Sequence, residues 1–179
     1  MDAGTGAGSA MKHTQLVARL LQQQSILALA TTLADGTPHI APLFYLAGDA
    51  LQLYWFSSAA SRHSRNLKRN PAAAVTVYWP TQQWREIRGV QMRGAVIVVS
   101  DPARRSAIAA AYSARFQLGT AFKAVQARSR LYEFRPSWIR YLDNSIRFGY
   151  KFEFSPPLPT GLGAGAAGAG TVAIRSRRG

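Results

Sequence analysis

The sequence predicts a mainly β fold, a small antiparallel barrel with a few flanking helices. Three observations carry this. Short runs of β-branched and aromatic residues recur along the chain, turn signals such as Asp35-Gly36 separate them, and few stretches space apolar residues as a helix does. The chain has 179 residues, 47% apolar and 11% aromatic, enough for one core of ordinary domain size. It has no cysteine, which excludes disulfides, thiolate metal sites and a cysteine nucleophile and fits a reducing cytoplasm. No apolar run approaches the ~20 residues of a bilayer span, so no membrane partner is expected.

Residues 1–13 read as a flexible leader and 14–155 as the compact domain. Residues 156–179 read as a disordered Gly/Ala/Pro tail ending in Arg175, Arg177 and Arg178. Within the domain, Leu16, Val17, Leu20 and Leu21 predict a helix over 14–24. Strands follow over 25–33, 39–46 and 51–56, joined by tight turns at 34–37 and 47–50, which together predict a three-stranded meander. The third strand is apolar on both faces, Leu51, Leu53 and Trp55 on one and Tyr54 and Phe56 on the other. That implies a barrel interior on one side and a partner surface on the other.

A short basic helix spans 61–69 and stops at Asn70-Pro71. Strands come next over 72–79 and 88–99, the latter carrying Gly89 and Gly94, which suit a bulge. Asp101-Pro102 opens a helix to Phe116, and a shorter helix covers 120–127. Three closing strands occupy 130–135, 138–142 and 150–154.

The net charge is +14, and 18 basic against 7 acidic residues leave +11 on residues 14–155. An anionic partner follows: nucleic acid, a membrane surface or a phosphorylated ligand. The residues that choose among them lie at the end of the third strand, Ser57-Ser58-Ala59-Ala60-Ser61-Arg62-His63. There an apolar strand delivers two hydroxyls, then a third hydroxyl and two potential cations at a helix start. Free N–H groups and the positive dipole end of that helix favour an anion. Ser57, Ser58 and Ser61 can donate to phosphate oxygens, and Arg62 can bind them bidentately. The plainer alternative is that Ser61 only caps the helix while Arg62, Arg65 and Arg69 form its solvated face.

This stretch resembles the phosphate-binding segment of the flavin split-barrel family that includes pyridoxamine 5′-phosphate oxidases. Ser57 falls on the family's strand-end hydroxyl, Ser61-Arg62 on its Ser-Arg and Asn70-Pro71 on its closing Asn-Pro. His63 stands where the family has Lys. Arg88-Gly89-Val90-Gln91-Met92-Arg93-Gly94 is similar to its fifth-strand pattern, with Gly89 where the family commonly has Gln. The segments 87–91, 111–116 and 143–149 resemble a small uncharacterised bacterial branch, which shares Arg62-His63. The resemblance covers 14–155.

The resemblance implies an antiparallel split barrel, homodimeric, with FMN at the interface and its ring along the second strand near Ala41 and Pro42. The phosphate would sit on Ser57, Ser58, Ser61, Arg62 and His63, with Gly89 or Gln91 reaching the flavin. An FMN-dependent oxidoreductase acting on a small molecule is the implied function. The substrate motif Arg-x-His of true pyridoxamine-phosphate oxidases is absent after Trp138, which argues against vitamin B6 oxidation.

Trp84 and Trp138 read as interface or core aromatics before flavin covers, and Asp143-Asn144 equally as a turn or a site contribution. His39 reads as a structural residue rather than a base, and no histidine pair has metal-ligand spacing. Two alternatives stay open: a nucleic-acid-binding barrel, against which the basic residues cluster at one junction rather than in a stripe, and a flavin-free structural dimer of the same fold.

Overall fold

The structure, a computed structural model, describes residues 4–157, so most of the predicted tail lies outside the described residues. The elements run α1 (Gly4–Gln23), β1 (Ile26–Thr32), β2 (Pro38–Phe44), β3 (Leu46–Ala47), β4 (Leu53–Ser57), α2 (Arg62–Arg69), β5 (Ala72–Tyr78), β6 (Arg88–Val98), α3 (Pro102–Phe116), α4 (Thr120–Arg128), β7 (Arg130–Asp143) and β8 (Lys151–Phe154). All eight strands join one antiparallel sheet in the order β2-β1-β5-β6-β7-β4-β3, with β8 on β7. The sheet curls into a half-barrel around Leu27, Leu29, Leu53, Trp55, Val77, Val90, Phe134 and Ile139, and Val17, Leu20 and Leu21 of α1 close it. Among the described residues no helix is long and apolar enough to cross a membrane.

The 14-residue strand β7 is the spine, pairing with β6 along its length and with β4 and then β8 on its other side. The sequence predicts two strands here because Pro136 lacks a ladder donor. The structure runs through it, since the β6–β7 register shifts between Arg93 and Gly94, opposite Pro136.

Three further expectations are corrected. The helix expected over 14–24 begins at Gly4; from the buried Val17, Leu20 and Leu21 it extends backward through a Gly/Ala-rich stretch that sequence propensity disfavours. The second strand of the predicted meander is broken at Tyr45, which is buried with its backbone N–H on the Ser25 carbonyl at 3.0 Å and its hydroxyl on the Leu21 carbonyl at 2.7 Å; β2 before it pairs with β1, and β3 after it pairs with β4. Finally, the second apolar face of β4 is covered from within the chain. Tyr54 clusters with Val99, Leu131 and Ile108, and Tyr112 of α3 meets Phe56 edge-on at 5.3 Å, so that face is no partner surface.

Candidate functional site

β4 ends at Ser57, a turn closed by Ser61 N–H to the Ser58 carbonyl (3.1 Å) follows, and α2 begins at Arg62. Ser61 is the N-cap: its hydroxyl accepts from the Ser64 N–H at 3.3 Å and donates to the Ser64 hydroxyl at 2.8 Å. His63 is buried and turned inward. Its Nε2 lies 2.8 Å from Ser57 Oγ and 3.0 Å from Ser61 Oγ, and those two hydroxyls are 3.3 Å apart. The sequence-predicted Ser57, Ser61 and His63 are therefore one hydrogen-bonded group at a strand-to-helix junction. Ser58 stands apart, exposed, with its hydroxyl accepting from the Ala60 N–H at 3.1 Å.

Burial, and then the nearby His39, hold the His63 imidazole below its ordinary value, so it is neutral near pH 7. His39 comes from β2, where it pairs with Thr31, and its Nδ1 is buried with no hydrogen-bond partner among the described residues. The sequence gives no reason to join two histidines so far apart; the packing of α2 against β1 and β2 does it. Asn66, one turn on from His63 and also buried, fixes that packing by donating to Thr31 Oγ1 at 3.1 Å and accepting from Arg69 at 3.1 Å. Helical spacing was the available signal, since residues 63, 66 and 67 share a face. Arg62 is exposed and lines a cleft of about 250 Å³ with Arg65, Asn66, Arg69 and the turn residues Leu33, Ala34 and Asp35.

The remaining predicted residues lie on the sheet. Register places Pro42, Ala28, Thr76, Gln91 and Arg140 on one rung across five strands, and Ile40, Ala30, Ala74 and Arg93 on the next rung of the same face. This is the outer face, with Ile40, Phe44, Ile26 and Tyr78 exposed around the small residues. Ala41 points the other way, on the inner rung of Leu29, Val75, Met92 and Ile139. Pro42 and Gln91 thus share a surface that Ala41 reaches only through its backbone. Gly89 sits tightly between strands: a Cβ there would lie 2.9 Å from the Val77 carbonyl oxygen. That crowding explains why no long side chain stands at this position.

Asp143 is buried, accepting from Tyr141 Oη (2.8 Å) and from both the N–H (2.9 Å) and hydroxyl (2.6 Å) of Ser145, and Asn144 donates to the Trp84 carbonyl at 2.9 Å. Both order the turn before β8. Trp84 is exposed and edge-on to Phe148 at 5.4 Å, while Trp138 lies under the guanidinium of Arg93 at 4.3 Å. Among the described residues no cluster of three or more His, Asp or Glu could hold a metal.

What the junction can do is bind an oxyanion. It offers hydroxyls, the first-turn N–H groups of an eight-residue helix, a nearby guanidinium and an imidazole able to take a proton. These donors fit the phosphate end of a nucleotide-like cofactor, with the small-residue outer face open for a planar ring.

A UPF0306 protein of Photorhabdus laumondii is 24% identical over 143 residues, 80% of this chain and 96% of that one. The pyridoxine/pyridoxamine 5′-phosphate oxidase of Rhodopseudomonas palustris is 36% identical over 93 residues, 52% of this chain but 41% of that enzyme. Among solved structures, a heme binding protein from Mycobacterium smegmatis superposes with a TM-score of 0.62 at 18% identity, over 79% of this chain and 57% of that one. The fold is the antiparallel split barrel. The pattern that defines the pyridoxamine 5′-phosphate oxidase family matches residues 14–143, and the chain belongs to that family.

Proposed function

We propose that this protein binds FMN and uses it for redox chemistry on a small molecule, working as a homodimer. The observation that carries this is the Ser57–His63–Ser61 group at the start of α2, donors of the kind a phosphate monoester needs. The bound flavin would supply hydride or electron transfer. The chain's own part is to anchor and orient it. Ser57, Ser61 and the first-turn N–H groups of α2 hold the phosphate, and Arg62 swings in from the exposed side to balance its charge. The outer face around Pro42, Ala28 and Thr76 receives the ring, small side chains allowing close approach. Exposed Ile26, Ile40, Phe44 and Tyr78 on that face suit a second copy, which would exclude water from the ring's far side. No side chain here is a dedicated acid or base.

The test is the absorption spectrum of the purified protein and its titration with FMN and riboflavin. A flavin band, and an Arg62→Ala variant that weakens FMN at least tenfold while sparing riboflavin, support the reading. A Soret band with no flavin uptake points to heme instead, and binding of nucleic acid alone with a steep salt dependence would return the basic surface to that partner.

A further inference from the structure

We propose that His63 sets the selectivity of the anchor for a phosphate monoester by taking up one proton as the ester seats, so that cofactor affinity is linked to pH through this one imidazole. The inference rests on the FMN reading and concerns a residue that stands where the family has Lys.

The geometry sets His63 at the anchor. Its Nε2 already meets both hydroxyls that would face a phosphate, at 2.8 and 3.0 Å, and Ser61 is tied in turn to Ser64. Ser61 spends its one hydroxyl proton on Ser64, so only the Ser57 hydroxyl can donate to Nε2; a phosphate arriving between Ser57 and Ser61 draws that proton toward its own oxygens and leaves Nε2 without a donor. A neutral ring with a bare nitrogen against an oxyanion is repelled; a protonated ring donates to it. The groups that face His63 are few. Among the described residues, His39 comes from β2, Ser57 from the end of β4, and Ser61, with the neighbouring Arg62 and Ser64, from α2 and its cap. Among the described residues no carboxylate is hydrogen-bonded or ion-paired to the ring. Without one, the empty site has no counter-charge to hold a proton there, and burial beside His39 removes it. The ester's charge is the missing counter-charge.

The sign follows. The imidazole's affinity for a proton is low in the empty site and raised in the loaded one, so between those two values binding consumes a proton and weakens as pH rises. A phosphate monoester itself loses its second proton near about pH 6, so the titration is made from about pH 6.5 upward, where the ester is mostly dianionic. Lys at position 63 would stay charged throughout and show no such slope.

The experiment measures FMN and riboflavin binding by flavin fluorescence from about pH 6.5 to 9 on the full chain, His63→Lys and His63→Gln. Calorimetry in two buffers of different ionisation enthalpy counts the protons taken up. The expected result is FMN affinity falling toward tenfold per pH unit at the steepest point, flat riboflavin binding, uptake approaching one proton, and a slope abolished in both variants. FMN binding as flat as riboflavin's, or a slope that persists in His63→Gln, overturns the proposal while leaving the flavin assignment standing. Absence of FMN binding at every pH overturns both.

Discussion

Glu133 and Arg104 meet at 2.7 Å across β7 and α3, and the glutamate side chain has no exposed surface. Its other oxygen meets Arg135 at 3.1 Å. Burial alone would raise this carboxyl, but the hydrogen bonds and charges of Arg104 and Arg135 outweigh it and hold Glu133 below the ordinary carboxylate range. A folded-state value below the unfolded one gives stability that is present above the unfolded value and is lost as pH falls through the folded one. Glu133→Gln leaves two guanidiniums without their anion. Both keep some solvent access, so the expected loss is about 2 kcal/mol, below the 3–5 kcal/mol of a fully buried pair. Denaturant unfolding at neutral pH measures it, and the variant's stability should also depend less on pH below about 4.5.

Gly94 is a second structural demand, set by close approach at the bulge. A Cβ there would stand 2.0 Å from the Arg135 carbonyl oxygen and 2.9 Å from Pro136 Cα. These are backbone atoms and cannot rotate away, so Gly94→Ala should cost at least about 3 kcal/mol or prevent folding. Gly36 is the contrast: its φ is +86° in the β1–β2 turn, with open space around it. Gly36→Ala should cost only the left-handed strain, about 1–2 kcal/mol. Equal losses in the two variants would show that the strands at Gly94 shift to admit the added methyl, since its φ carries no left-handed strain.

Most elements were legible because they rest on local signals. Asp35-Gly36, the Asp101 cap with Pro102 behind it, and Asn70-Pro71 each fix a boundary by their own backbone chemistry. What escaped depends on distant parts of the chain. The break of the second strand at Tyr45 is fixed by a carbonyl of α1, and the passage of β7 through Pro136 by its own bulge at Ser137 against β6. The anchor shows the same division. Ser57, Ser61 and His63 are six residues apart and were grouped from sequence, whereas His39 and Thr31 arrive only through the packing of α2 on β1 and β2.

That packing makes Asn66 a residue with two consequences. Asn66→Ala removes the bond to Thr31 and the seat of Arg69, leaving a buried threonine hydroxyl without its donor. The expected loss is about 1–3 kcal/mol in denaturant unfolding. Because α2 carries His63 and Arg62, FMN affinity should fall several-fold more than riboflavin affinity in the same variant. A stability loss with both affinities unchanged would show that α2 holds its position without this bond.

The outer face of the sheet offers the complementary test, because the proposed ring seat and the proposed phosphate anchor are separate surfaces. Ala28 lies on the rung between Pro42 and Thr76, pointing away from the core, so Ala28→Arg should change stability by no more than about 0.5 kcal/mol. A long charged side chain there fills the space a planar ring would occupy and breaks the apolar continuity from Ile40 and Phe44 to Tyr78. FMN and riboflavin should therefore be lost together, unlike the phosphate-only loss of Arg62→Ala, and light scattering should show the shift from dimer to monomer. If the variant stays dimeric and binds both flavins as before, the ring seat and the second copy must lie elsewhere, and the exposed Trp84 and Phe148 of the β5–β6 and β7–β8 connections become the next surface to alter.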